Sequence, residues 1–390
     1  MLLCTPLSCW IFRGNGKDTV IIGHMKICHL TSVHPENDTR IFLKECVSLQ
    51  RAGHDVYFVV AGASDKSVSG VQIVGTKKIK GRIMRILVSW RPVLRTALKV
   101  DADIYHLHDP ELLKAGVALR RHGKKVIYDS HEDLPRQILA KPWIPRLLRP
   151  IISHLIEFVE NSRVRRLSAV VAATPHIAER FERILPGNVC NINNYPILDE
   201  ITSQSAWNQR HPAICYVGGI FRERGIDEML AVAASCQVPF ILAGTFAPAS
   251  LLADVKSMPG WQFTDYKGYV GRKEINDILG QSMVGLLLLH PLPSYKDSLP
   301  IKLFEYMAAG IPVVCSDFPL WRSIVDDCGC GICMPPLDVS ASAAAVRRLI
   351  DHPDEAEAMG RRGRQAVEQR FNWKTQEALL IQFYNKLSMI

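Results

Sequence analysis

No apolar run in the 390-residue chain approaches the about 20 residues that a helix needs to cross a bilayer. The opening Met1-Leu2-Leu3-Cys4-Thr5-Pro6-Leu7-Ser8 is apolar but has neither a basic start nor a small-residue cleavage pattern. It therefore reads as neither a signal peptide nor an anchor. Acidic charge is also short: 38 Asp plus Glu against 47 Lys plus Arg, a formal charge of +9. Such a balance fits a phosphate-rich ligand, a nucleic acid or an anionic membrane surface. No nucleic-acid-binding motif accompanies it, so nucleic acid is not an expected partner. The 11 cysteines, an odd number, stand mostly alone in apolar runs, as reduced thiols do in a reducing compartment. Only Cys328-Gly-Cys330-Gly-Ile-Cys333 is closely spaced, and no second Cys or His cluster lies near it in sequence to complete four ligands. We read it as structural, and no metal or other cofactor is expected.

What is present is ordinary globular usage, 48% apolar with 25 Gly and 23 Pro, in a chain long enough for two or three domains of about 150 residues. Short β-branched or apolar runs alternate with amphipathic stretches, the pattern of βα units with parallel strands. Strands are expected at 26–30, 55–60, 103–108, 125–129 and 169–173, then at 213–217, 239–243, 284–289 and 312–316. The expected fold is α/β, with two facing Rossmann-like domains and a deep cleft between them. Residues 1–24 read as a dispensable extension, 25–195 as the first domain and 213–370 as the second. Residues 371–390 read as a C-terminal helix packing back toward the first domain. In open α/β sheets ligands sit at the carboxyl ends of strands, so the cleft is where chemistry is sought.

The strongest local signal is a strand at 284–289, a loop from His290 to Ser298, and a helix through Leu299-Pro300-Ile301-Lys302-Leu303-Phe304-Glu305-Tyr306-Met307-Ala308-Ala309-Gly310. Pro300 suits a first helical turn and Gly310 a C′ position. The helix start then points at the cleft, where free N–H groups and the macrodipole favour an anion such as a diphosphate. Asp297 and Glu305 stand eight residues apart, and each carboxylate can accept two hydrogen bonds, as paired hydroxyls require.

This stretch resembles the Glu-x7-Glu signature of retaining glycosyltransferases of family 4, which have the two-lobed GT-B fold. Four other stretches resemble bacterial surface-polysaccharide members. They are Pro35-Glu36-Asn37-Asp38-Thr39-Arg40-Ile41-Phe42 before Lys44-Glu45, His106-Leu107-His108-Asp109-Pro110-Glu111, Tyr128-Asp129-Ser130-His131-Glu132-Asp133 and Tyr216-Val217-Gly218-Gly219. The resemblance covers roughly residues 25–385. It implies a nucleotide-sugar donor site in the second lobe and an acceptor site in the first. By its pattern Glu305 holds the nucleotide ribose and Asp297, one methylene shorter than the usual Glu, contacts the donor sugar. Pro300 stands where Gly is common and donates no N–H, so Ser298, Leu299 and Ile301 supply the amides. Basic side chains rather than a metal neutralise the departing diphosphate. Arg224 matches the family's basic residue, Arg222 compensates for Gly219 at a position where Arg is frequent, and Lys302 is a third cation. His131 resembles the histidine near the reacting carbon, with a positioning and charge-stabilising role. Gly218, Gly244-Thr245 and Tyr269-Val270 line the donor side. Asp38, Arg40, His106 and His108 are assigned to the acceptor side.

Lys77, Lys78, Lys80, Arg82, Arg85, Arg91, Arg95 and Lys99 cluster around Ile83, Met84, Ile86, Leu87, Val88 and Trp90, and Lys141-Pro142-Trp143-Ile144-Pro145-Arg146 repeats the mixture. Segments of this kind lie in lipid interfaces. The expected enzyme therefore uses a lipid-linked saccharide acceptor at the cytoplasmic face of the membrane, in surface polysaccharide biosynthesis. Competing readings are a nucleotide-sugar 2-epimerase on the same fold and a non-catalytic membrane- or nucleotide-binding relative.

Overall fold

A computed structural model describes residues 23–139, 141, 144–201 and 207–389. Most of the expected 1–24 extension, and Pro142 and Trp143 of the second basic stretch, lie outside the described residues.

The first lobe is an eight-stranded sheet. Its strands are β1 (Lys26–Thr31), β2 (Asp55–Ala61), β3 (Lys66–Val68), β4 (Val71–Thr76), β5 (Ile104–Leu107), β6 (Lys125–Ser130), β7 (Ala169–Ala172) and β8 (Val189–Asn191). They are ordered β3-β4-β2-β1-β5-β6-β7-β8, and only β3 pairs antiparallel. The second lobe is a six-stranded parallel sheet of β9 (Ile214–Val217), β10 (Phe240–Ala243), β11 (Thr264–Tyr266), β12 (Val284–Leu287), β13 (Val313–Ser316) and β14 (Gly331–Met334). Its order is β11-β10-β9-β12-β13-β14. Strands such as Ile-Cys-Tyr-Val and Ala-Val-Val-Ala are apolar on both faces because helices cover both faces of each sheet.

Chain order reverses between β1 and β5 in the first sheet and between β9 and β12 in the second. A crevice opens at such a reversal, because successive crossovers leave to opposite sides. The two crevices face each other. The last helix, Trp373–Met389, crosses back to the first lobe. There Leu380, Phe383, Tyr384 and Leu387 join its core, and Trp373 Nε1 donates to Ser48 Oγ at 3.0 Å. No helix among the described residues is long and apolar enough to cross a membrane.

Candidate active site

The helix Ile301–Ala308 follows β12 through a short turn at Pro293–Lys296. Pro300 is its N-cap rather than its first residue, and Gly310 closes it in the left-handed region at φ 70. Arg364 Nη1 donates to the Ala308 carbonyl at 2.6 Å and Arg210 Nη2 to that of Ala309 at 2.8 Å. Two guanidinium groups thus neutralise the negative end of the helix. The positive end is left facing the cleft, with the Ile301 and Lys302 amides lacking acceptors in their own helix. The Ser298 amide is already spent on the Tyr295 carbonyl at 3.1 Å, so the donor amides reduce to Leu299, Ile301 and Lys302. Tight turning at Tyr295–Ser298 is the cause.

A cavity of about 460 Å³ lies between the lobes at this helix start. From the second lobe come Tyr216, Arg224, Asp297, Ser298, Leu299, Ile301 and Lys302; the first lobe supplies His34, Asp38, Arg40 and His131. The structure thus gathers nine of the residues named from sequence around one space. Gly218 is one layer deeper. Its φ is +144, and a Cβ there would sit 2.2 Å from Lys302 Cε, so glycine lets the lysine stem lie flat on the backbone after β9. Arg224 stands beside it, 3.3 Å from the Gly219 carbonyl and 5.0 Å from the Phe221 ring centroid. Burial lowers the Lys302 ammonium below its ordinary range, with Arg224 adding repulsion and Glu305 opposing. Two cations held this close, without a full complement of carboxylates, are an arrangement that can receive an anion.

Arg222 does not join them. It forms ion pairs with Asp227 at 2.5 Å and Asp254 at 2.8 Å, on the outer surface. The three-residue turn Arg222–Arg224 is a 3-10 helix, in which residues two apart point roughly 120° apart, so only one of the two can face the cleft. Gly244-Thr245 supports the floor from behind, with Gly244 N–H donating to Gly268 and Ile220 N–H to Thr245. Tyr269 is 86% exposed at the rim, and Val270 packs into the core.

Glu305 is set back from the cavity. Its Oε1 accepts from Arg272 Nη1 at 2.9 Å, and Arg272 Nη2 reaches Glu200 at 2.8 Å. Neither Arg272 nor Glu200 was named from sequence, although Arg272 directly follows the Tyr269-Val270-Gly271 loop. Lys44, from the first lobe, approaches this network and donates to Asn194 Oδ1 at 2.6 Å. Burial, with Arg40 nearby, brings its amine down to about 7.

On the facing wall, His131 Nε2 lies 3.0 Å from Asp129 Oδ2. Asp129 is fully buried and takes two further bonds from Arg40, Nε to Oδ2 at 3.0 Å and Nη2 to Oδ1 at 2.9 Å. Burial would raise its carboxyl, but Arg40, His131 and His108 outweigh that and hold it well below the usual range. An ionised Asp129 fixes the His131 proton on Nε2 and leaves Nδ1 as an acceptor. Asp38 caps the segment Thr39–Cys46, accepting from the Arg40 and Ile41 amides at 2.9 Å and from His34 Nδ1 at 3.0 Å. That segment is a π-helix, with Leu43 N–H reaching the Asp38 carbonyl at 3.3 Å.

His106 and His108 do not reach the acceptor side. Both are buried behind the wall, because His106 on β5 and His108, which continues the strand's pairing one residue beyond its end, share the face covered by the π-helix and the C-terminal helix. His106 Nδ1 lies 2.7 Å from the Tyr384 hydroxyl, and His108 Nδ1 lies 3.2 Å from His131 Nε2. Of the closely spaced cysteines, Cys333 lies 3.6 Å from Cys315, across the β13–β14 pair.

Two facing lobes built on parallel sheets, with a helix start beside two cations on one and a carboxylate-held histidine on the other, define the two-lobed GT-B architecture. Residues 41–194 match the family described as Glycosyltransferase Family 4, and residues 199–366 match Glycosyl transferases group 1. A glycogen synthase from Mycobacterium tuberculosis is 21% identical over 387 residues, 95% of this chain and 86% of that one. Sucrose-phosphate synthase from Thermosynechococcus elongatus superimposes with a TM-score of 0.77 at 18% identity, over 94% of this chain and all of that one. HepE from Anabaena, solved with UDP and glucose, gives 0.71 at 14% identity over the same shares. The chain is a glycosyltransferase built from a family 4-type domain followed by a group 1-type domain.

Proposed function

We propose that this enzyme moves a sugar from a nucleotide-sugar donor to a lipid-linked saccharide, with retention at the anomeric carbon and without a metal in the transfer step. The observation that carries the reading is the approach of Arg224 and Lys302 to the start of the Ile301–Ala308 helix, opposite His131 in one cavity. Negative charge grows on the diphosphate as the glycosidic bond breaks, and preorganised cations and amides stabilise it there. Glu305, oriented by Arg272, has Oε2 for the ribose hydroxyls. Asp297, exposed at the cavity edge, and His131 Nδ1 accept from sugar hydroxyls and position the reacting carbon. HepE, with a similar fold, was solved holding UDP and glucose. Retention follows from the resemblance to family 4.

The lipid-linked acceptor is supported by the first lobe's surface. The helix Arg82–Val88 buries none of its residues, and Ile83, Met84, Ile86 and Leu87 are exposed amid Lys77, Lys78, Lys80 and Arg91. On the helix Arg149–Val164, Ile151, Leu155 and Phe158 are exposed, beside Leu147 and Leu148. A cytoplasmic enzyme sitting on an anionic leaflet would meet an acceptor anchored there, as surface-polysaccharide assembly requires. Titrating UDP, GDP and ADP, then assaying the matching nucleotide sugars for transfer, tests the reading. A protein that binds none of the three refutes it.

A further inference from the structure

We propose that His29, His106, His108 and Glu45 form a buried structural site for a divalent transition-metal ion, zinc by its ligand chemistry. One ligand atom from each lies within 4.8 Å of every other. Glu45 Oε2 is 3.9 Å from His29 Nδ1, His106 Nδ1 and His108 Nε2 alike, and His29 Nδ1 is 2.9 Å from His108 Nε2. A tetrahedral zinc site with bonds near 2.0–2.1 Å has ligand atoms about 3.3 Å apart. Closing this cluster to that size takes inward shifts of about half an ångström.

Three observations single the cluster out from ordinary core packing. All four side chains are fully buried, His29 and His106 on the central strands β1 and β5, His108 just past the end of β5 and Glu45 on the π-helix, where apolar residues would pack well. As a carboxylate, Glu45 finds no hydrogen-bond donor among the described residues for either oxygen beyond the Arg40 ion pair to Oε1 at 3.1 Å, and it lies against the Asp129 carboxylate. A buried carboxylate so poorly matched is strongly disfavoured unless it is neutralised or coordinated. Finally, His108 has the second-layer support typical of a metal ligand: Nδ1 is 3.3 Å from Asp129 Oδ2, which turns its Nε2 lone pair into the cluster.

Four ligands from the chain leave no position for substrate, so the ion is structural and separate from the transfer step. The Tyr384 hydroxyl, 2.7 Å from His106 Nδ1, must give up that nitrogen when the ion binds.

The test uses the full chain made without a polyhistidine tag. After refolding with ZnCl2 and dialysis against a chelator, mass spectrometry should find about one zinc per chain. Refolding with CoCl2 should give the intense visible bands of tetrahedral cobalt. Glu45→Gln and His106→Asn should each lose most of the metal, whereas His290→Asn, at a distant histidine, should keep it. Less than about a tenth of an equivalent of zinc in wild-type chain with a native circular dichroism spectrum, under these conditions, overturns the proposal. So does equal retention by folded His106→Asn. If both cluster variants fail to fold, the wild-type stoichiometry and the cobalt spectrum decide alone. None of these readouts involves nucleotide.

Discussion

Glu305 and Arg272 meet at 2.9 Å, joining the motif helix to the helix that follows the Tyr269-Val270 loop. Arg272 holds Glu200 at the same time, so one guanidinium fixes the carboxylate from behind. In the proposed ribose-binding role, such a clamp would fix the carboxylate before a ligand arrives and save the entropy of ordering it.

Replacing Glu305 by Ala should therefore weaken nucleoside diphosphate binding. Each charged hydrogen bond lost is worth about 1.5–3 kcal/mol, or about 10- to 150-fold in Kd. Arg272→Met should have a smaller effect, because Glu305 keeps its charge but loses its orientation. Calorimetric titration with the preferred nucleotide measures both. Undiminished affinity in Glu305→Ala would remove the residue from the donor site.

Arg222 and Arg224 are two residues apart yet face different environments, which makes them a matched pair for a second test. Arg224→Ala and Lys302→Ala should each lower kcat by about 100-fold or more, since stabilisation of the departing phosphates is realised mainly in the transition state. Arg222→Ala, already ion-paired with Asp227 and Asp254 at the surface, should stay within about twofold of wild type. Comparable losses in all three variants would contradict the assignment of the phosphate site.

Much of this arrangement is legible in the chain, and the reasons for the remainder are physical. The strands of the two central crevices are short and apolar, and their positions follow from composition to within one or two residues. The helix start at Ile301 is likewise readable, because Pro and Gly punctuate its ends. Contacts between distant segments are not. Arg272 and Glu305 are 33 residues apart, and His106 and Tyr384 are 278 apart. Alternation along β5 shows that His106 and His108 share a face, but which elements cover that face is decided by tertiary packing. His29, a polar residue inside the apolar run of β1, was the one local sign that something unusual is buried there. Edge strands of three residues, β3, β8 and β11, carry too few residues for a period to show.

Asp38 provides a pH-dependent prediction. Burial favours its neutral form, but the hydrogen bond from His34 and the Ile41 amide overcome this and hold the carboxyl below its ordinary range. His34 is correspondingly raised, burial being outweighed by Asp38. Because the unfolded chain then binds more protons as pH falls, the stability Asp38 contributes is complete above about pH 4–5 and is lost below that. Asp38→Asn, which keeps the cap geometry but not the charge, should lower stability at pH 7 by about 0.5–2 kcal/mol. The gap to wild type should narrow as the pH falls from about 5 toward 3. Thermal melts of both proteins across that range check it, and a gap independent of pH would contradict the role of the charge.

The exposed helix Arg82–Val88 allows the membrane reading to be tested without touching the cleft. Its apolar residues Ile83 and Leu87 are 73% and 52% exposed and lie four apart, on one face. Phe158, on the other exposed helix, is 70% exposed. None of the three packs into a core, so Ile83→Glu, Leu87→Glu and Phe158→Glu should leave the melting temperature and nucleotide affinity unchanged. Each adds negative charge and removes apolar area, so sedimentation with anionic vesicles at low salt should fall sharply in the triple variant. Turnover on a membrane-embedded acceptor should fall in parallel, while hydrolysis of the donor continues. Raising ionic strength should weaken wild-type binding by screening Lys77, Lys78, Lys80 and Arg91, and leave a remainder carried by the apolar side chains. If the wild-type chain does not sediment with such vesicles at all, these faces do not dock on lipid. The acceptor would then have to reach the cleft from solution.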